Sequence, residues 1–264
     1  MSDSRRTSLP PGGSRRPEPQ LLPAERICVF LDVDGTLVEF ADTPGSVKVD
    51  PPVIDMLLRL QVALDGALAV ISGRSVAEID RILAPLQLPA AGLHGAQRRD
   101  CAGVLHVPDV HEAPLDAVRR ELQPFVEAHA GLLLEDKRWA IAVHYRRAPD
   151  LRDEVWRAMT AASSGLSPAF KLLEGDMVLE LKPGRFDKAA AVDAFMREAP
   201  FRGRVPVFVG DDVTDYDGFC AARRHGGVTV AVGPRVTAQW YLPDPGAACA
   251  WLMQIAEQGN GSGN

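Results

Sequence analysis

The chain has 264 residues, 46% of them hydrophobic and 24% charged, which suits one large domain or two modest ones and argues against wholesale disorder. Its 29 basic and 35 acidic side chains give a formal charge of −6, a balance that disfavours a nucleic-acid or anionic-membrane surface. No apolar run approaches the ~20 residues that span a bilayer, and Cys28, Cys101, Cys220 and Cys249 are too dispersed for a disulfide framework or a zinc site, so a reducing cytoplasm is the expected compartment.

Residues 1–24, rich in Pro, Ser, Gly and Arg, read as a disordered tail, and no apolar segment follows Arg5-Arg6 as an export signal would need. Apolar runs at residues 27–31, 67–71, 205–209 and 228–232 have the continuous hydrophobicity of strands buried on both faces. Helical patterns at 52–64, 76–83 and 188–198 alternate with them, which predicts an α/β fold with a parallel sheet and helices on both faces. The middle third differs. A helical pattern over 110–130 is followed by an alternating segment over 135–146, a helical stretch over 151–162 and another alternating segment over 177–182. Period-two alternation marks half-buried strands, so this stretch is expected to be a smaller α+β unit inserted into the sheet through paired hinges. The expected division is a tail at 1–24, core at 25–109, an inserted cap at 110–181, core again at 182–256 and a flexible tail at 257–264.

Each buried run ends in a polar or glycine-containing cluster, and in open α/β sheets the ligand crevice lies outside the carboxyl ends of the strands. Asp32 and Asp34 place two carboxylates at the mouth of an apolar strand, costly unless a cation compensates, and Gly35 permits the turn that lets both face one site. Ser72-Gly73-Arg74 offers a hydroxyl and a cation, suited to phosphate oxygens or to capping a helix. Gly210-Asp211-Asp212-Val213-Thr214-Asp215 adds carboxylates, and the combined surplus of hard oxygens suits Mg²⁺. Lys188 opens a helix after Asp187, a candidate N-cap, which would bring its amine near the same strand ends. There is no P-loop, no GxGxxG and no nucleophile elbow.

Taken in order, DxDGT at residues 32–36, Ser-Gly-Arg at 72–74, Lys188 and GDDxTD at 210–215 resemble the haloacid dehalogenase (HAD) superfamily. Gly92-Leu93-His94-Gly95, His144-Tyr145-Arg146, Glu180-Leu181-Lys182-Pro183 and Asp187-Lys188 are similar to the trehalose-6-phosphate phosphatase family, over roughly residues 25–255. Ala189 stands where that family commonly has Gly, and Tyr216 where it commonly has an acid; neither is a catalytic group. The resemblance implies a HAD-like Rossmannoid core with an inserted α+β cap. It also implies Mg²⁺-dependent hydrolysis of trehalose 6-phosphate, the small-molecule partner expected, through an aspartyl-phosphate on Asp32. Asp34 is then general acid and base, and Mg²⁺ is held by Asp32, Asp211 and the backbone carbonyl of Asp34, with Gly35 and Thr36 in support. Lys188 and Ser72 meet the phosphoryl oxygens, Gly73 and Arg74 contact substrate, and Asp212 and Asp215 orient the lysine and the metal waters. A related phosphatase for a sucrose or glycerate phosphate, or a catalytically silent regulatory domain, remain open alternatives.

For the sugar, alternation sets Glu180 and Lys182 opposite Leu179 and Leu181, and gives Glu135 and Lys137 a common face. Carboxylates accept from sugar hydroxyls and an ammonium donates to them, and the resemblance points to the same Glu135, Lys137 and Glu180. Arg138, His144 and Arg146 form a competing face, and solvated edge charges are the plainer alternative.

Overall fold

The computed structural model describes residues 17–40, 44–107, 113–167 and 169–260. The apolar run expected at 27–31 is β1 (Ile27–Leu31), buried at every position. Helix α1 (Pro51–Ala63) starts with two prolines, which suit a first turn whose N–H groups have no helical partner, and leads to β2 (Leu68–Ile71). Helix α2 (Val76–Leu83) opens on a capping box in which Ser75 and Glu78 satisfy each other's backbone N–H. Three short strands follow, β3 (Ala90–Gly92), β4 (Gln97–Arg99) and β5 (Leu105–His106).

The middle of the chain builds a second, smaller unit. It comprises α3 (Ala113–Ala128), β6 (Leu133–Asp136), β7 (Ile141–His144), α4 (Arg152–Ser163), β8 (Phe170–Gly175) and β9 (Val178–Pro183). The chain then returns through α5 (Lys188–Phe195), β10 (Val205–Gly210), α6 (Tyr216–Arg224), β11 (Val228–Val232), β12 (Trp240–Leu242) and α7 (Pro245–Asn260). The larger sheet has the order β12-β11-β10-β1-β2-β3-β4-β5, parallel from β12 to β3 and antiparallel at β4 and β5. The smaller sheet, order β6-β7-β9-β8, is antiparallel throughout.

Each unit has its own hydrophobic core. Phe30, Phe195, Phe201 and Phe208 anchor the larger one, while Leu122, Ile141, Val155, Met159, Leu179 and Leu181 meet in the smaller. Burial of such side chains from both faces of a sheet or from one helix stripe is what holds these layers together.

Several expectations are corrected. The segment over 135–146 is a hairpin rather than one strand, because Arg138 turns the chain at φ 68 while Asp136 accepts a hydrogen bond from the Arg138 N–H. The smaller unit is therefore helix–hairpin–helix–hairpin, with β8 as an additional strand. The boundary expected after residue 181 falls inside β9. Residues 257–260, expected to be flexible, form the last turn of α7, held by Ile255 and Ala256, which are fully buried. Of the tail expected at 1–24, residues 17–24 lie against the core: Tyr241 N–H donates to the Pro17 carbonyl at 2.9 Å, and Leu22 packs on the main cluster. Residues 1–16 and 261–264, and the start of the expected cap at 110–112, lie outside the described residues. Among the described residues no helix is long and apolar enough to cross a membrane.

Candidate active site

Strands β1, β2, β3 and β10 run parallel, so their carboxyl ends share one edge of the sheet. The polar groups after them line a cleft of about 950 Å³ including its open mouth, closed on the far side by the smaller sheet.

Asp32, immediately after β1, is 5% exposed. Its Oδ2 lies 3.1 Å from Lys188 Nζ, and its Oδ1 is buried without a hydrogen-bond partner. Lys188 Nζ also donates to Asp215 Oδ1 at 2.7 Å, while Asp215 Oδ2 accepts from the N–H groups of Asp211 and Asp212. Asp187 caps α5 by accepting from Ala190 N–H, which fixes the turn that carries Lys188. Gly35 (φ 77) lets the chain pass Asp211, since a Cβ there would lie 2.3 Å from Asp211 Oδ2, and Thr36 Oγ1 donates to Asp211 Oδ1 at 3.3 Å.

Electrostatics mark the spot. Burial pushes the Asp211 carboxyl up to about 9, with Asp32, Asp215 and Asp212 adding repulsion. Burial drives Asp32 upward as well, against the pull of Lys188. Burial opposes the charge on Lys188, yet Asp215 and Asp32 hold the amine above the usual lysine range. One oxygen from each of Asp32, Asp211 and Asp215 lies within 4.8 Å of the others. Asp215 already accepts from Lys188 and two amides, which leaves Asp32 and Asp211 as the less engaged carboxylates for a ligand. An orphaned buried oxygen among hard donors and short of positive charge fits a divalent cation such as Mg²⁺.

Asp34 faces the other way: Arg74 donates to it twice, Nε to Oδ2 and Nη2 to Oδ1, both at 2.7 Å. Its carboxylate therefore stands outside the acidic group, in the cleft wall. Ser72, 1% exposed, lines the cleft, and its Oγ accepts from Arg74 N–H at 3.3 Å. Asp212 is used locally, accepting from the N–H and hydroxyl of Thr214.

The opposite wall comes from the smaller sheet. Lys137 Nζ donates to Glu180 Oε2 at 2.8 Å and to the Gly73 carbonyl at 3.2 Å, and lies 3.8 Å from Glu135 Oε2. Glu135 Oε2 is 2.7 Å from His144 Nε2. Burial would raise Glu180, but the Lys137 ammonium and His94 hold its carboxyl well below the usual range. Burial also disfavours a charged Lys137, and Glu180 with Glu135 more than offset it. Of the competing face, His144 and Arg146 reach the cleft, whereas Arg138 stacks on Trp139.

His94 is a site residue to which the sequence reading gave no role. Leu93, His94 and Gly95 take φ of 51, 53 and 99, and this left-handed run aims the His94 ring at Glu180 Oε1, 3.5 Å away. Gly73 makes room for it, because a Cβ there would lie 2.9 Å from the ring. A left-handed run of this kind, with only its last residue a glycine, leaves little trace in residue pattern. The Gly-Leu-His-Gly motif itself was the available signal.

Comparison with known proteins agrees with this geometry. Residues 30–242 match a family model described as trehalose-phosphatase. The chain is 41% identical over 229 residues to trehalose-6-phosphate phosphatase of Escherichia coli (strain K12), which spans 86% of this chain and 85% of that protein. Its fold is similar to that of the C. albicans trehalose-6-phosphate phosphatase C-terminal domain, with a TM-score of 0.80 at 20% identity over 92% of this chain and 99% of that one. It is also similar in fold to a phosphatase of the haloalkanoate (HAD) enzyme superfamily from Bacteroides thetaiotaomicron, with a TM-score of 0.55 at 16% identity over 94% and 99%.

Proposed function

The chain belongs to the trehalose-phosphatase family, and from that membership we propose that it hydrolyses trehalose 6-phosphate to trehalose and inorganic phosphate. The observation that carries the proposal is the unpartnered Oδ1 of Asp32, buried at the strand end beside Lys188 and facing a cleft whose far wall is Glu135, Lys137 and Glu180.

In this reading Asp32 attacks phosphorus, the bond to the sugar oxygen breaks, and the phosphoryl group rests on the Asp32 carboxylate until water displaces it. Asp34 gives a proton to the departing sugar oxygen and takes one from the attacking water, its carboxylate aimed by Arg74. Lys188, fixed by Asp215, and Ser72 face the phosphoryl oxygens and offset their charge. Asp32, Asp211 and the backbone carbonyl of Asp34 would hold Mg²⁺, supported by Gly35, Thr36 and Asp212. Bound there, the ion supplies Lewis-acid charge that lets an anionic nucleophile approach an anionic ester.

The smaller unit, from α3 to β9, acts as a cap over the core. Its Glu135, Lys137 and Glu180 recognise sugar hydroxyls, while Gly73 and Arg74 complete the substrate wall from the core side. The acidic balance and scattered cysteines support a cytoplasmic enzyme that engages neither nucleic acid nor membrane. The test is phosphate release with Mg²⁺ from trehalose 6-phosphate, sucrose 6-phosphate, glucose 6-phosphate and a glycerate phosphate. The first is expected to be turned over fastest, and Asp32→Asn to be inactive; preference for another ester, or an active Asp32→Asn, overturns the reading.

A further inference from the structure

Phe40 stands just beyond the Asp34–Val38 bridge, at the core edge of the cleft. Two guanidinium groups lie over its ring. Arg235, from the loop after β11, has its central carbon 4.4 Å from the ring centroid, and Arg146, from the loop after β7, has its own at 5.1 Å. Both cations share one carboxylate in the β8–β9 turn: Asp176 Oδ2 lies 3.4 Å from Arg235 Nη1 and 2.5 Å from Arg146 Nη2. Arg146 also donates to the Asp176 carbonyl at 3.2 Å. Gly35 lies against the ring: a Cβ there would be 2.5 Å from Phe40 Cε2 and 2.3 Å from Asp211 Oδ2. Arg235 Nη1 in turn is 3.5 Å from Asp211 Oδ2.

The cluster therefore joins the two units. Phe40, Gly35, Asp211 and Arg235 belong to loops of the larger unit, Arg146 and Asp176 to loops of the smaller. The Arg146–Phe40 and Arg235–Asp176 contacts cross between them. A negative ring face attracts cations, and here it helps two like charges meet at a boundary, with Asp176 shared between them and Asp211 beside Arg235. Removing the face while keeping the bulk takes away the contact the two guanidiniums share with the core and leaves Asp176 to hold them across the seam.

We infer that Phe40 is a positioning residue that seats the cap on the core through Arg146, Arg235 and Asp176, so that Glu135, Lys137 and Glu180 stand at the right height above the phosphate site. The inference rests on the phosphatase reading above. A substrate whose leaving group spans the cleft should feel the seat, and a small ester confined to the phosphate end should not.

The test compares Phe40→Leu, which keeps apolar bulk, with Phe40→Tyr, which keeps the ring face. In Phe40→Leu, KM for trehalose 6-phosphate is expected to rise about tenfold, equivalent to about 1.4 kcal/mol, with kcat and p-nitrophenyl phosphate hydrolysis within about twofold of wild type. Backbone amides of residues 174–178 should exchange hydrogen about tenfold faster than in wild type. Phe40→Tyr should match wild type in both measurements. Wild-type KM and exchange in Phe40→Leu, or equal losses on both substrates, overturn the inference. If wild type hydrolyses p-nitrophenyl phosphate but leaves trehalose 6-phosphate untouched, the substrate reading fails, and the exchange contrast still decides the seat. Should Phe40→Leu lose its cooperative melt, Asp176→Asn takes its place. The same KM rise and faster exchange are expected there, and wild-type behaviour counts against the seat.

Discussion

Arg74 and Asp34 form a two-pronged pair, with Nε and Nη2 of the guanidinium each 2.7 Å from a different carboxylate oxygen. Such a fork fixes the plane of the carboxylate as well as its position. Arg74→Lys keeps the charge and loses the fork, so Asp34 should swing away from the line between phosphorus and the sugar oxygen. We expect kcat to fall about 10²-fold on both trehalose 6-phosphate and p-nitrophenyl phosphate, the usual scale of a misplaced acid–base group. An unchanged kcat in steady-state phosphate release would show that Asp34 needs no such guide.

The acidic cluster sets a pH dependence whose sign can be worked out. Burial raises the Asp211 carboxyl from 3.8 to about 9, and Asp32 shifts the same way. Between those values the folded chain keeps protons that the unfolded chain releases, so this cluster's contribution to stability falls as pH rises. Glu180, held low, has the opposite sign, but its contribution is lost only as pH drops below its ordinary 4.5. His94, held below 6.5 by burial, also has the opposite sign, so the fall is clean only above the ordinary histidine range: in EDTA the melting temperature should decline from about pH 7 to about pH 8.5. Added Mg²⁺ must displace the cluster's protons at low pH, so it should raise the melting temperature more at the higher pH. An equal Mg²⁺ effect at both would place the ion elsewhere.

Glu180 is 4% exposed and paired with a Lys137 whose own charge is buried. Truncating it removes the nearest carboxylate from that ammonium and leaves it the Gly73 carbonyl and the more distant Glu135, a loss that costs up to ~3–5 kcal/mol when a buried pair is broken outright. Glu180→Ala should thus cut turnover of trehalose 6-phosphate at least about tenfold and lower the melting temperature as well. Glu180→Gln keeps an acceptor for Lys137 and should melt closer to wild type while still losing turnover of the sugar phosphate. Hydrolysis of p-nitrophenyl phosphate should survive in both. If the two substrates suffer alike, Glu180 is part of the scaffold and not of sugar recognition.

Gly35 cannot be enlarged without cost. Its φ of 77 disfavours a side chain, and the nearest obstacle to a Cβ is the carboxylate of Asp211. Gly35→Ala should push Asp211 aside and weaken Mg²⁺ binding at least about tenfold in calorimetric titration of the substrate-free protein. Wild-type affinity would remove Asp211 from the ligand set.

The strand-end clusters made half the site legible. Apolar runs that stop at Asp32, Ser72 and Asp211 announce a sheet edge, and the pattern over 76–83 coincides with α2 from its first residue to its last. What escaped was geometry without glycine. Arg138 at φ 68 folds an alternating segment into β6 and β7, and Met177 at φ 57 separates β8 from β9, yet neither residue advertises a turn. Strands as short as β3, β4 and β5 give too few residues for a period to register. Phe40 and Arg235 were hidden for another reason: each joins the site through contacts between residues far apart in the chain, Phe40 with Arg146 and Arg235 with Asp176.

Strand β9 faces two ways, with Leu179 and Leu181 sunk in the hydrophobic core of the smaller unit while Glu180 and Lys182 are buried on its other side. Insertion or deletion of one residue within it would exchange those roles, putting leucines against the sugar and charges into the core. Relatives that diverge toward new leaving groups should therefore do so by swapping single side chains at alternate positions of this strand. Changes in chain length are expected at the β6–β7 and β8–β9 turns, where Lys137 and Asp176 reach the cleft from loops that can grow without reversing a face.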